Sequence, residues 1–381
     1  MSATAISAVR PTISLWSAVS PYGIGRDAFV EGIGSQPDTV VRLDQDRWHA
    51  AEDHACLVPG FEIRDVLGKK GTRAMDRVSA LAVTASGELL RDAPVEGDGR
   101  DIGLVLGTTT GSVQSMMDFT RTSMTAEQPF YVDPAVIPNI VLNCAASQCA
   151  IRHQLRGPNT TVAGGRGSTL LGLGYAAGLL ASGRASKVLC GAAEEFSGAR
   201  SWLDRHTRGA DAGDVVLGEG SAMLLIEPGD RRDRPPMAQI LAVESMVYPG
   251  GDVTTTLRKC VERALRNAKV NASEVWAAPP SALPGPVGEQ ERALLSEMFD
   301  SSAITRVPDV GRLGDTSAAT SAFQIVSLLA VAERTPGAAG NAAVVTTVDR
   351  DGTVACAVLR LLVHCPPKIG LSRGLRGKAE K

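Results

Sequence analysis

The chain has 381 residues, 44% of them hydrophobic and 21% charged, an ordinary globular profile long enough for one large or two medium cores. Its formal net charge of −2, with lysine and arginine scattered until the extreme C-terminus, excludes a long-range pull toward nucleic acid or acidic membranes. No apolar run approaches the roughly 20 residues that span a bilayer, and the first residues lack a charged-then-apolar signal pattern, so no membrane partner and a cytoplasmic protein are expected.

Residues 6–19 are rich in strand formers, and Ser-Pro-Tyr-Gly-Ile-Gly (20–25) is a turn ahead of a short helix over 26–32. Residues 35–70 are mixed and loop-like. His49, His54 and Cys56 lie close enough there to suggest a metal site, but the segment is polar and connecting, so a plain surface loop is expected and no metal. Over 73–92, Met75, Val78, Leu81, Ala82, Leu89 and Leu90 recur at helical spacing. A buried strand over 102–106 runs into Gly107-Thr-Thr-Thr-Gly111, and a helix follows; a lone glycine-rich loop is weak evidence for phosphate binding. The seven cysteines (56, 144, 149, 190, 260, 356, 365) form no C-x-x-C pair and several lie in apolar runs, which predicts buried free thiols.

The centre of the chain is residues 159–195. A short run over 160–163 meets a tight glycine turn, and a helix of leucine and small residues follows over 168–181. Its five leucines leave no polar face, and its glycines and alanines suit an interior, so the helix is expected to pack inside the protein. A strand over 187–191 follows. In nucleophile-elbow folds this geometry holds Ser or Cys at the tip, at a helix N-terminus where an anion is favoured. Here the tip holds Arg166. Residues 216–227 close the first half, and 230–236 form a charged, proline-containing linker. Beyond it come a strand near 238–245, a helix over 256–269, a strand over 274–278, helices over 288–299 and 316–332, and paired strands at 341–348 and 354–363.

The elbow resembles that of the β-ketoacyl synthases of the thiolase superfamily, which runs Thr-Val-x-Thr-Ala-Cys-x-Ser into a Leu/Ala/Gly helix, a strand and Gly-Ala-Glu. Ser-Pro-Tyr-Gly, Arg-Ala-Met-Asp-Arg (73–77), the 107–111 loop and 216–227 are similar to further stretches of that family, so the resemblance covers roughly residues 5–365. It implies an α/β, thiolase-like fold: two similar halves in a layered α-β-α-β-α architecture, with an N-terminal half over 1–235, a C-terminal half over 236–365 and a flexible basic tail over 366–381.

By the same resemblance, Arg166 stands where the acyl-accepting cysteine belongs. The two histidine positions hold Pro280 and Asp315, the lysine position holds Val310, and the closing Gly-Phe-Gly-Gly loop reads Asp-Arg-Asp-Gly (349–352). Thioester exchange needs a thiolate, and decarboxylating a malonyl thioester needs donors aimed at the enolate. Arginine supplies no nucleophile near neutral pH, and Ser168, two residues down the helix, points away from the tip. No catalytic residue is therefore expected. The family brings positions 166 and 315 into one pocket, where an unpaired buried arginine is costly, so Arg166 and Asp315 are expected to form a structural ion pair.

Synthase-like proteins without the cysteine act in type II polyketide systems as chain length factors. The resemblance implies a heterodimer with a catalytic ketosynthase, an acyl tunnel along the interface, and acyl chains carried on the phosphopantetheine of a partner acyl carrier protein, with no cofactor of the chain's own. Arginine rather than glutamine at the tip leans toward reducing, polyene-forming systems. Tunnel-gating side chains fall at Val113, Met116 and Thr120, on one face of the helix after the glycine loop. Dimerisation is expected edge to edge through the strand over 187–191. Two alternatives stay open: a synthase-derived scaffold or binding protein without a polyketide role, and an acyltransferase with unrecognised catalytic residues.

Overall fold

The computed structural model describes residues 10–208, 214–230, 234–248 and 252–363. The expected tail over 366–381 lies outside them. In chain order the elements are β1 (Pro11–Ser20), β2 (Gly23–Ile24), α1 (Arg26–Ser35), β3 (Val40–Arg42), α2 (Gln45–Trp48), β4 (His54–Cys56), α3 (Ile63–Leu67), α4 (Arg77–Asp92), β5 (Ile102–Gly107), α5 (Val113–Thr125), α6 (Cys144–His153), β6 (Asn159–Val162) and α7 (Ser168–Ala181). They continue with β7 (Lys187–Glu194), α8 (Gly198–Thr207), β8 (Gly220–Pro228), β9 (Ala238–Val247), α9 (Val253–Ala268), β10 (Val275–Ala277), α10 (Pro286–Met298), α11 (Ser301–Thr305), α12 (Thr320–Ala332), β11 (Ala342–Val348) and β12 (Thr353–Leu361). The segment expected to be loop-like therefore holds a short hairpin, β3 and β4, and two short helices.

The strands run in the order β10-β11-β12-β9-β1-β8-β7-β5-β6, with β2 on β1. The two halves of this path meet where Thr12 and Ile13 of β1 pair with Gln239 and Ala238 of β9. Strand alternation then sorts side chains into layers. Val105, Cys190 and Leu224 from the first half, with Val345, Ala357 and Leu359 from the second, face a shared middle layer built on α7 and α12. On the opposite face of the first half, Leu104, Leu106, Leu189 and Met223 pack under α4 and α6. On the opposite face of the second, Val344, Cys356 and Val358 pack under α9 and α10. The result is the expected α-β-α-β-α layering. No single helix among the described residues is long and apolar enough to cross a membrane.

Two expectations need correction. The strand over 187–191, expected at an edge, is part of β7 and lies inside the sheet, paired with β5 on one side and β8 on the other. The edge on this side of the sheet is β6, the strand that leads into the elbow, and β10 is the edge on the other. Helix α7 is not buried all round either. Leu170, Leu173, Ala176 and Leu179 are buried, whereas Gly174, Tyr175 and Gly178 form an exposed face. The helix buried on nearly every side is α12, sandwiched between the sheets. The sequence of α7 is apolar where only part of its circumference meets its own chain.

Candidate functional site: a plugged elbow and an adjoining cleft

Strand β6 ends at Val162, a tight turn over Gly165–Gly167 follows, and α7 begins at Ser168. Gly165 has φ +55, and a Cβ built on it would lie 2.1 Å from Asp349 Oδ2. Glycine is therefore required twice, for the left-handed backbone and for the approach of this carboxylate. The approach brings Asp349 Oδ2 to 2.8 Å from the Arg166 backbone N–H, which donates to it. An elbow amide that could stabilise an oxyanion is thus already engaged by a carboxylate at a helix N-terminus. Burial pushes the Asp349 carboxyl up, against the lowering effect of the Arg166 amide. The Tyr248 hydroxyl donates to the Asp349 carbonyl and holds this loop in place.

The Arg166 side chain is 5% exposed and pairs directly with Asp315, itself 6% exposed, through Nη1 and Oδ1. Its Nη2 donates to the Ser281 carbonyl at 2.5 Å, while Nε has no partner. Asp315 Oδ1 also accepts the Ser317 backbone N–H at 2.9 Å. Burial alone would raise the Asp315 carboxyl, but the Arg166 and Arg200 guanidiniums outweigh it and hold the group below the usual range. Arg200, on α8, anchors the same region by donating to the carbonyls of Glu195, Gly218 and Asp315 at 2.6, 2.7 and 2.8 Å.

The other sequence-derived positions fall around this pair. Pro280 is half-buried beside Ser281, whose N–H and hydroxyl donate to the buried Glu291 at 3.0 and 2.5 Å. Val310 is buried in the middle-layer core. Ser168 Oγ donates to the Gly165 carbonyl at 2.7 Å and accepts the Gly164 N–H at 3.0 Å, so the hydroxyl closes the turn rather than reaching its tip. The cysteines offer no substitute nucleophile nearby. Cys190 and Cys149 are buried, and burial pushes both thiols up to about 12, far from the depressed values of reactive thiols. Sequence reasoning missed Asp349 and Arg200; the signal for Asp349 was the acidic residue opening the altered closing loop.

A cleft of about 970 Å³ lies between α5, α8 and the segment around α2. Its walls include Ile63, Val113, Met116, Met117, Phe196 and Leu203, with Trp48 and Trp202. Of the three expected gating residues, Val113 is buried against it and Met116 lines it half-exposed. Thr120 is not among the lining residues. It is exposed, and its hydroxyl donates to the Met116 carbonyl at 2.8 Å. The buried lining combines apolar Val113 and Phe196 with polar Asp76, Ser112, Glu195 and Ser197. Burial, reinforced by Asp76, raises the Glu195 carboxyl from 4.5 to about 8, against donors from Gln114 and Val78. No group of three or more metal-ligating side chains occurs among the described residues.

The family described as beta-ketoacyl synthase, N-terminal domain, matches residues 16–231, more than half of the chain. Among curated relatives, 3-oxoacyl-[acyl-carrier-protein] synthase 2 of Synechocystis is 29% identical over 249 residues, 57% of each chain. Its counterpart in Vibrio cholerae is 23% identical over 239 residues, 57% of this chain and 58% of that one. The chain thus matches little more than half the length of these relatives. Among solved structures, the ishigamide ketosynthase/chain length factor is 47% identical with a TM-score of 0.89, covering 93% of this chain and 99% of that one. AntDE:AntF, a type II PKS acyl-carrier protein in complex with its ketosynthase, shares the fold at 16% identity and a TM-score of 0.75, covering 93% and 99%. The elbow, the five layers and these matches agree: the chain belongs to the β-ketoacyl synthase family, with arginine at the tip of its elbow.

Proposed function

We propose that this chain is a non-catalytic, chain-length-factor-like subunit that pairs with a catalytic ketosynthase and shapes the tunnel in which a polyketide chain grows on an acyl carrier protein. The observation that carries the reading is Arg166. It occupies the nucleophile's position, buried and paired with Asp315, while Asp349 engages the amide an oxyanion would need. The 47% identity to a structure of a ketosynthase/chain length factor supports the same reading. The surface around the edge strand supports a partner. Strand β6 ends one side of the sheet, α6 and α7 pack against it, and these two helices expose Ile151 and Tyr175. Such an edge with an apolar surround suits another chain extending the sheet. The cleft lined by Val113 and Met116 supplies room for an acyl chain and needs no cofactor of its own. Arginine at the tip favours a reduced, polyene-type product.

Reconstitution with a cysteine-bearing ketosynthase and a loaded acyl carrier protein tests this. The chain alone should give no turnover, and the pair should elongate. Val113→Phe or Met116→Trp should shorten the product by whole acetate units with the heterodimer intact. Turnover by the chain alone, or unchanged product length from both intact variant complexes, would refute the reading.

A further inference from the structure

Helices α5 and α8 supply two walls of the cleft, and one side chain ties them together. Past its first turn α5 is held lightly: Val113 is its one buried residue, and Met116, Met117 and Met124 are exposed. Its first turn is fixed, because Ser112 accepts the Ser115 N–H at 3.3 Å and Glu195 accepts the Gln114 N–H at 3.5 Å. The Gln114 side chain makes the link to α8. Its Oε1 accepts the Ala199 N–H at 3.1 Å, and its Nε2 donates to both Asp118 carboxylate oxygens at 3.1 and 3.0 Å. Ala199 lies in the first turn of α8, where an amide has no carbonyl one turn back, and Ser197 already serves the Arg200 N–H. Gln114 therefore caps a neighbouring helix, with Asp118 fixing which end of its amide faces that helix. No other hydrogen bond or ion pair joins α5 to α8 among the described residues.

We propose that Gln114 is a positioning residue that sets the width of the cleft, so that product length depends on this one bond as well as on the bulk of the lining side chains. The inference rests on the reading of the cleft as the acyl tunnel and adds what holds its gauge. Met116 and Met117 are unbranched and adapt to the space they are given, so their bulk alone defines no sharp stop. A fixed spacing between the helix that carries them and the helix that carries Trp202 and Leu203 does. Added bulk moves the stop, whereas loss of the tether blurs it.

The test uses the reconstituted pair. Gln114→Leu, of similar size but without the acceptor, should lower the ratio of the main product to the next longer one about fivefold, the weight of one ordinary hydrogen bond. Val113→Phe should shift the main product without spreading it. Gln114→Glu combined with Asp118→Asn reverses the amide–carboxylate contact, keeps an acceptor for the Ala199 N–H and should restore a sharp distribution; Gln114→Glu alone sets two carboxylates side by side and should stay spread. Spin labels on Thr120→Cys and Thr207→Cys, in a Cys365→Ser background whose other cysteines are buried, read the helix spacing directly. Their distance distribution should widen in Gln114→Leu and narrow again in the double variant. An unchanged distance distribution in Gln114→Leu, a double variant no sharper than Gln114→Leu, or product length that answers Val113→Phe yet stays sharp in Gln114→Leu overturns the assignment of Gln114 alone. Product length that ignores both Val113→Phe and Gln114→Leu, while the label distances respond, overturns it together with the tunnel reading.

Discussion

Removing the carboxylate that faces Arg166 should be among the most damaging single changes in this protein. In Asp315→Ala the guanidinium stays where it is, 5% exposed, with the Ser281 carbonyl as its remaining direct partner and Nε still unmatched. The Ser317 amide loses its acceptor as well. Breaking one side of a buried pair leaves an uncompensated charge and costs about 3–5 kcal/mol. That is a large share of a typical folding free energy. Urea denaturation followed by tryptophan fluorescence measures it, with a constant slope confirming that stability alone has changed. The double variant Arg166→Met, Asp315→Leu removes both charges and should recover most of the loss, since an apolar pair is often no worse than a buried ionic one. The pair also has a pH signature. Because the folded Asp315 carboxyl is held below its ordinary value of 3.8, its contribution is complete above that value and fades as pH falls through the depressed one. The gap between wild type and Asp315→Ala should close only in acid. A loss below about 1 kcal/mol, the range of exposed ion pairs, or a double variant as weak as the single, would refute the reasoning.

Glu195 predicts the opposite pH behaviour: its carboxyl is raised from 4.5 to about 8, so the folded state holds a proton that the unfolded state has lost. Stability should therefore decline as pH rises between those values, and Glu195→Gln should flatten the decline in denaturation midpoints taken across that window. Arg166→Cys should not give the chain alone any condensing activity, because the Asp349 carboxylate still engages the residue-166 amide and opposes thiolate formation. Iodoacetamide should label the introduced thiol slowly, and faster once Asp349→Asn is added; equal rates would remove Asp349 from the account.

Much of the frame was legible because it is local. The glycine turn and the leucine run mark α7 over 168–181, and the apolar spacing that ends at Asp92 marks α4. Its start was harder to place: the helix begins at Arg77, where Asp76 caps it, rather than at residue 73. Likewise α12 begins at Thr320 after a tight turn over Ser317–Ala319, because residue 316 precedes a positive-φ serine that a helix does not tolerate. The strand order was not legible. An apolar strand such as β7 reads the same whether it pairs on one side or two, and only the tertiary path puts the more polar β6 at the edge. The site was half legible. Arg166 and Asp315 are complementary charges at positions the family resemblance brings together, whereas the reach of Asp349 to an amide 183 residues away depends on the fold of the closing loop.

The free cysteines have a use that follows from the layering. Cys149, on α6, sits in one outer core with α4, Cys190 of β7 in the middle layer, and Cys260 of α9 with Cys356 of β12 in the opposite outer core. All are buried and unoxidised. Each packed layer therefore carries its own thiol clock. Pulsed alkylation, resolved peptide by peptide, can time the opening of one layer against another, reporting whether the shared middle layer binds the two halves into a single cooperative unit or lets one loosen before the other.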